Sequence, residues 1–380
     1  MMKRFISFML LMVMLCTAAS ADVLVRHISE SYCVAFSYDD QHCLMMERLP
    51  AENGVPYCRL YIQHADGSVS PLKDVAPAET VSSALQPDYA HAPHPAVNGV
   101  KVCGNMLLMN VYVNEYRTVF RLVDMTTGEA RSLGDRSVVT GVSGQRAAIA
   151  VNTTAKTYDV WLLDGSSGEM TQQSVPGDIR IYAVSPLSSG VLLCVRDADG
   201  NALLWLDEQG NVVHRLACGK SYEQLYYDES TRTGIAGNAS AGIPTVWFND
   251  HVMMQLLPPE ITGSFETPEE FLSYLESNPL HVSLLPQSTN KRLRLDAIQP
   301  LGMTAEGTLL CRWGTLGWFC TLDLATMELT PLLTEDDSVE TVNQYAGSLY
   351  QAIWNGCTRF CLPSKLPPYQ YIEIDHYALQ

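Results

Sequence analysis

The chain has 380 residues, 47% hydrophobic and only 17% charged, which is ample material for a large core and excludes disorder over most of its length. A formal net charge of −17 repels phosphate backbones, which need clustered Lys and Arg, and so argues against a nucleic-acid partner. Cationic ligands or metal ions suit such a surface better.

The first residues read as an export leader. Lys3 and Arg4 give a short positive region, an apolar run broken only by Ser7 reaches Cys16, and Ala19 and Ala21 supply the small residues that signal peptidase requires. That run is about a dozen residues, short of the roughly 20 that a spanning helix needs, and no later stretch is long and apolar enough. Leu15, large and branched, disfavours a lipid anchor on Cys16. The expectation is cleavage after Ala21, with a secreted or extracytoplasmic mature chain over 22–380 that does not span a membrane. Of the 11 cysteines, Cys16 leaves with the leader. An even remainder invites a disulfide framework. Most of these residues, however, sit in apolar runs, as Cys103, Cys194 and Cys311 do, where a thiol behaves as a small hydrophobe.

Beyond the leader the dominant signal is repetition. An apolar, aromatic-bearing stretch ends in Asp or Asn, a short turn follows, and a second strand begins. The first copy carries Tyr61, Asp66 and Gly67, and the next carries Phe120, Asp124, Gly128 and Glu129. The frame recurs 40 residues on as Trp161, Asp164, Gly168 and Glu169, then as Trp205, Asp207 and Gly210, then as Trp247, Asn249 and Asp250. A sixth copy has Phe319, Asp323 and Glu328, with Met327 where Gly stood. Asp followed by Gly at positive φ is hairpin chemistry, and it predicts the turn between the third and fourth strands of a repeating unit. Upstream lie short, nearly all-apolar stretches at 105–109, 146–150, 190–194 and 307–311, predicted as second strands buried on both faces. Alternating stretches at 180–184 and 339–342 read as strands preceding these.

Two segments break the period. Residues 76–95 are rich in Pro and Ala and read as an extended linker, whereas 258–296 form an insertion between the fifth and sixth units. The insertion holds a predicted helix, with Thr267 as N-cap, Pro268 in the first turn, Glu270 closing a capping box and Phe271, Leu272 and Leu275 on one face. About 11 residues of helix cannot stand alone in water, so it should lie against the rim.

Four short strands per roughly 40–45 residues is the signature of a propeller blade. A seventh unit can be assembled from 347–354, 358–361 and 369–375, closed by an N-terminal strand around 23–27 that removes a free sheet edge. The predicted fold class is all-β, a β-propeller of seven blades with six as the alternative count, forming one domain with a short helical insertion. The hairpins around Asp124, Asp164 and Asp323 resemble those of secreted bacterial propellers of the broad TolB-like, YVTN-like and quinoprotein-like group. No Trp follows Glu129, Glu169 or Glu328 as the quinoprotein repeat has it, so the resemblance implies a fold and carries over no functional residue.

Candidate sites are sparse. Asp197, Asp199, Asn201 and Glu208 mimic calcium-loop spacing, but Ala202 stands where Gly is needed and a strand follows, so a hairpin turn is the better reading. Pro93 and Pro95 forbid a metal-binding helix face for His91 and His94. No hydrolase elbow or zinc-protease motif occurs. Asp39, Asp40 and the acids at 335–337 read as solvated turns. The sequence assigns no cofactor and no metal. Arg180, Tyr182, Tyr222 and Tyr226 interleave aromatic and polar groups, and these are the candidate ligand-facing residues, on strands that open onto a central channel. The functional expectation is a non-catalytic binding module for a glycan or protein partner. The alternative is a glycan hydrolase or lyase, or a lactonase-like metal enzyme, with its site at the channel mouth. One register expectation is specific: a turn at 314–317 should place Cys311 opposite Cys320, close enough for a disulfide only in the narrower type of strand pair.

Overall fold

The computed structural model describes residues 23–28, 31–37, 41–52, 55–72, 97–114, 117–134, 138–154, 156–238, 245–261, 268–286, 298–303, 308–313, 318–331, 350–354, 357–363 and 371–377. The leader with Cys16, the 76–95 linker with His91 and His94, Asp39, Asp40, Thr267, the 314–317 turn, the 335–337 acids and the 339–342 stretch lie outside the described residues.

The chain opens with β1 (Val23–Ile28) and then builds antiparallel sheets in succession. Blade 1 holds β2 (Ser31–Phe36), β3 (His42–Glu52), β4 (Val55–His64) and β5 (Val69–Pro71); blade 2 holds β6 (Val97–Cys103), β7 (Met106–Asn114), β8 (Arg117–Asp124) and β9 (Ala130–Gly134). Blade 3 comprises β10 (Val138–Ser143), β11 (Arg146–Thr154), β12 (Thr157–Asp164) and β13 (Met170–Gln173). Blade 4 comprises β14 (Arg180–Leu187), β15 (Gly190–Asp197), β16 (Gly200–Leu206) and β17 (Val212–Ala217). Blade 5 follows with β18 (Gln224–Asp228), β19 (Thr233–Gly237), β20 (Val246–Asn249) and β21 (Met253–Leu257). The insertion then contributes α1 (Pro268–Ser277), β22 (Leu280–His281) and β23 (Ser283–Pro286). Blade 6 has β24 (Ile298–Met303), β25 (Leu309–Trp313), β26 (Trp318–Leu322) and β27 (Glu328–Pro331). Blade 7 has β28 (Tyr350–Trp354), β29 (Cys357–Pro363) and β30 (Tyr371–Tyr377), and β1 pairs with β30 as its outer strand. The seven sheets of the described residues make a seven-bladed β-propeller, and β1 closes the last blade as expected.

The repeat frame is physical. Asp124, Asp164, Asn249 and Asp323 each accept backbone N–H bonds from the second and third residues that follow, and Asp207 accepts them from the second and fourth. Each caps the hairpin between its blade's third and fourth strands. Gly128 and Gly168 close these turns at φ +70° and +69°, and Met327 takes φ +58° at the equivalent place. That is a conformation most side chains avoid. The second strands are the driest elements: Val191 to Val195 and Leu309 to Cys311 are fully buried, because neighbouring blades cover both faces. Between blades 4 and 5, Trp205 meets Tyr227 and Phe248 edge-on while the last two rings stack.

Two finer features extend the sequence reading. The insertion does more than lie on the rim. In it, β22 pairs with β27 and β23 pairs with β21, so one strap adds a strand to blade 6 and another to blade 5. Tyr274 and Leu275 of α1 pack on the core beneath. Cys311 and Cys320 are ladder partners as expected, and Trp313 faces Trp318. No disulfide joins them: both remain buried thiols, with Cys311 donating to the Cys320 carbonyl at 3.4 Å. Burial raises both thiol pKa values, and each thiol therefore stays protonated. Cys194 is also buried, opposite Leu203, with its thiol pushed up to about 11 by burial.

Candidate functional site

The first strand of each blade is an edge strand of its sheet, and first strands of neighbouring blades contact one another: β28 with β2, β2 with β6, β6 with β10, β10 with β14, β14 with β18 and β18 with β24. Four of them carry a β-bulge against the second strand: between Cys33 and Ala35, Asn98 and Lys101, Ile181 and Ala183, and Pro300 and Gly302. A bulge leaves a residue outside the ladder and re-aims its side chain, which is why bulges recur beside binding sites. In blade 4 the residue left out is Tyr182, and in blade 2 the bulge immediately precedes Lys101.

Of the four residues expected to face a ligand, Arg180 and Tyr182 come together. Arg180 opens β14, is exposed, and holds its guanidinium carbon 5.1 Å from the half-buried Tyr182 ring centroid. Such stacking fixes an otherwise mobile arginine. Tyr226 is half-buried in β18, where its ring packs on the blade 6 core and burial raises its pKa. Tyr222 lies elsewhere. It is 2% exposed in the core between blades 4 and 5, its N–H directed at Cys194 Sγ at 3.4 Å. A buried tyrosine in an inter-blade wall looks the same in sequence as one at a mouth, since both follow a turn and precede an apolar strand.

Two basic residues escaped the sequence reading. Arg196, near the end of β15, is exposed and is the direct ladder partner of Arg180. Lys101 reaches across the blade 2–3 boundary to donate to the Thr140 carbonyl at 2.5 Å. It keeps contact with solvent, yet the surrounding protein strips bulk hydration from its ammonium and pushes its pKa down to about 8. Lys101 and Tyr226 occupy equivalent places, because each pairs with the residue two beyond the start of its second strand.

The calcium-like acids have structural duties. Asp197 accepts the Asp199 N–H at 2.8 Å and a forked contact from Arg215 at 3.1–3.3 Å. Among the described residues no three His, Cys, Asp or Glu side chains converge as a metal site, and no helix is long and apolar enough to cross a membrane. His42 and His64 are ladder partners with ring centroids 5.1 Å apart, and His64 Nε2 lies 2.7 Å from the Ser70 hydroxyl.

No protein-family model matches the sequence, and no curated protein matches it. Among solved structures, the chain is similar to the β-propeller domain of Swd1 from Myceliophteria thermophila, at 10% identity and a TM-score of 0.47, over 94% of this chain and 100% of that one. It is also similar to putative TolB from Agrobacterium tumefaciens, at 11% identity and a TM-score of 0.36, over 62% of this chain and 88% of that one. TolB from Acinetobacter baumannii gives 8% identity and a TM-score of 0.37, over 88% and 64%. No residue role is carried over from any of them, and the fold rests on the seven sheets themselves.

Proposed function

We propose that this protein is an exported, non-catalytic binding module that holds a glycan or protein partner on the face where the first strands begin. One observation carries the reading: at that mouth Arg180 lies over Tyr182, the residue that a bulge releases from the ladder. The half-buried ring, packed on the core between blades 4 and 5, positions a guanidinium whose planar hydrogen-bond donors are suited to recognition. The test is a glycan array probed with labelled protein, wild type and Tyr182→Ala. Retention that falls at least tenfold in the variant supports the reading, and equal retention overturns this mouth as the site. Export has its own measurement. The intact mass of the released form should begin at Asp22, and a mass retaining lipid-modified Cys16 would replace secretion with anchoring.

A further inference from the structure

Arg180 and Arg196 are direct partners in the β14–β15 ladder, so their side chains leave the same face of blade 4. Opposed Cβ atoms in such a pair lie about 4.5–5.5 Å apart, and like charges at that separation destabilise a sheet. The usual remedy, a nearby carboxylate, is already spent. Asp178, two residues before Arg180, pairs with Lys156 at 3.0 Å, and Asp197, next to Arg196, pairs with Arg215 at 3.1 Å. Among the described residues neither Arg180 nor Arg196 has an ion-pair partner, although the chain carries a net charge of −17.

We infer that Arg180 and Arg196 form an anion-binding fork where the first strand of blade 4 begins, and that its ligand is the carboxylate of an acidic sugar residue seated beside Tyr182. This rests on the binding reading above and names its ligand class. Two guanidinium groups on one face can each give a planar pair of N–H donors to a carboxylate, and together they bracket it. The aromatic ring favours a sugar over a bare anion. The molecular charge limits ligand length. Over distances beyond about 10 Å at 0.1 M salt the acidic surface is screened, but a long polyanion would lie against it and be repelled. A ligand with one to three carboxylates therefore fits better than an extended polyanion.

Isothermal titration with trigalacturonate and with its fully methyl-esterified, uncharged counterpart tests the inference on wild type and Arg196→Gln. Wild type should bind the acid at least tenfold more tightly than the ester. Arg196→Gln should lose that preference, its affinity for the acid falling at least tenfold. Because the substitution removes one of two opposed like charges, its thermal midpoint should be no lower than wild type, which separates loss of binding from loss of fold. A preference that survives Arg196→Gln, or equal wild-type affinity for acid and ester, overturns the fork and leaves the broader binding reading standing. Binding of a triglutamate peptide that depends on Arg196, with no binding of trigalacturonate, overturns the sugar assignment. If none of these probes binds, the glycan reading and the fork fail together.

Discussion

Gly141 in β10 and Gly144 in the turn after it carry different constraints. A Cβ on Gly141 would fall onto the Val184 carbonyl of β14, where the first strands of blades 3 and 4 pack backbone against backbone. Gly144 sits at φ +58° with open space around it. Gly141→Ala should therefore cost about 3 kcal/mol by wedging two blades apart. Gly144→Ala should cost about 1 kcal/mol, for its left-handed backbone alone. Urea midpoints of the two variants check the contrast, and equal losses would refute it. Lys101 gives a prediction with a pH signature. Its folded pKa of about 8 lies below the ordinary 10.5, so the unfolded chain binds the extra proton between those values. Stability carried by this group therefore rises as pH goes from 8 toward 10.5, and wild type should gain on Lys101→Met between pH 8 and pH 10. Comparing the two proteins cancels the alkaline titration of Tyr226 and the buried thiols, which work in the opposite direction. A gap that is constant with pH would show that Lys101 is not desolvated.

Among the elements, the insertion and the short turns do the joining between blades. Leu280 of β22 is 4% exposed and faces Leu329 of blade 6, while Val282, two residues on, donates its N–H to the Met327 carbonyl. Leu280→Ala should cost about 3 kcal/mol by opening a cavity under the strap. At the channel mouth away from Arg180, the turn of blade 4 is held from both sides. Arg146 of blade 3 donates to the Leu187 and Ser188 carbonyls, and Ser188 donates its N–H and hydroxyl to the Glu229 carboxylate of blade 5 at 2.6 and 2.9 Å. Glu229→Ala, at an exposed site, should cost about 1 kcal/mol. The two sites share no partner, so the double variant should lose the sum of both effects, measured by chemical denaturation. The third-to-fourth strand turns were legible in the sequence because Asp and Gly act within a few residues. The strap was not, since β22 and β23 find their partners in two different blades.

At the scale of the whole molecule the ring is closed by its own first strand. Val23 to Ile28 run antiparallel to Tyr371 to His376, so the first and last described strands meet in one ladder and the propeller cannot open without breaking it. A circular permutant that begins at Ser31 and joins Tyr377 to Val23 through a short Gly-Ser linker keeps every strand pair. It should melt cooperatively within about 4 °C of wild type. A chain that begins at Ser31 and lacks β1 altogether should lose cooperativity and melt earlier. If the truncated chain matched the permutant, β1 would be dispensable and closure would rest elsewhere.

The sequence by itself determined the fold class, the blade period and the hairpin turns, because each depends on short-range chemistry: Asp accepting the next backbone amides, Gly taking positive φ, and apolar strands needing cover on both faces. It also set the Cys311–Cys320 register, through a simple hairpin. Only the tertiary structure decided the candidate site. The turn of blade 4 pairs Leu187 with Gly190 and Ala183 with Cys194, and that register continued would set Arg180 opposite Asp197 as a neutralised pair. The bulge at Tyr182 shifts the ladder by one residue, bringing Arg196 opposite Arg180 and leaving Asp197 to Arg215. A one-residue shift costs little locally and is fixed by how blade 4 packs against its neighbours. No spacing along the chain records it, and it turns an ordinary salt bridge into a pair of arginines, without an ion-pair partner among the described residues, beside an aromatic ring.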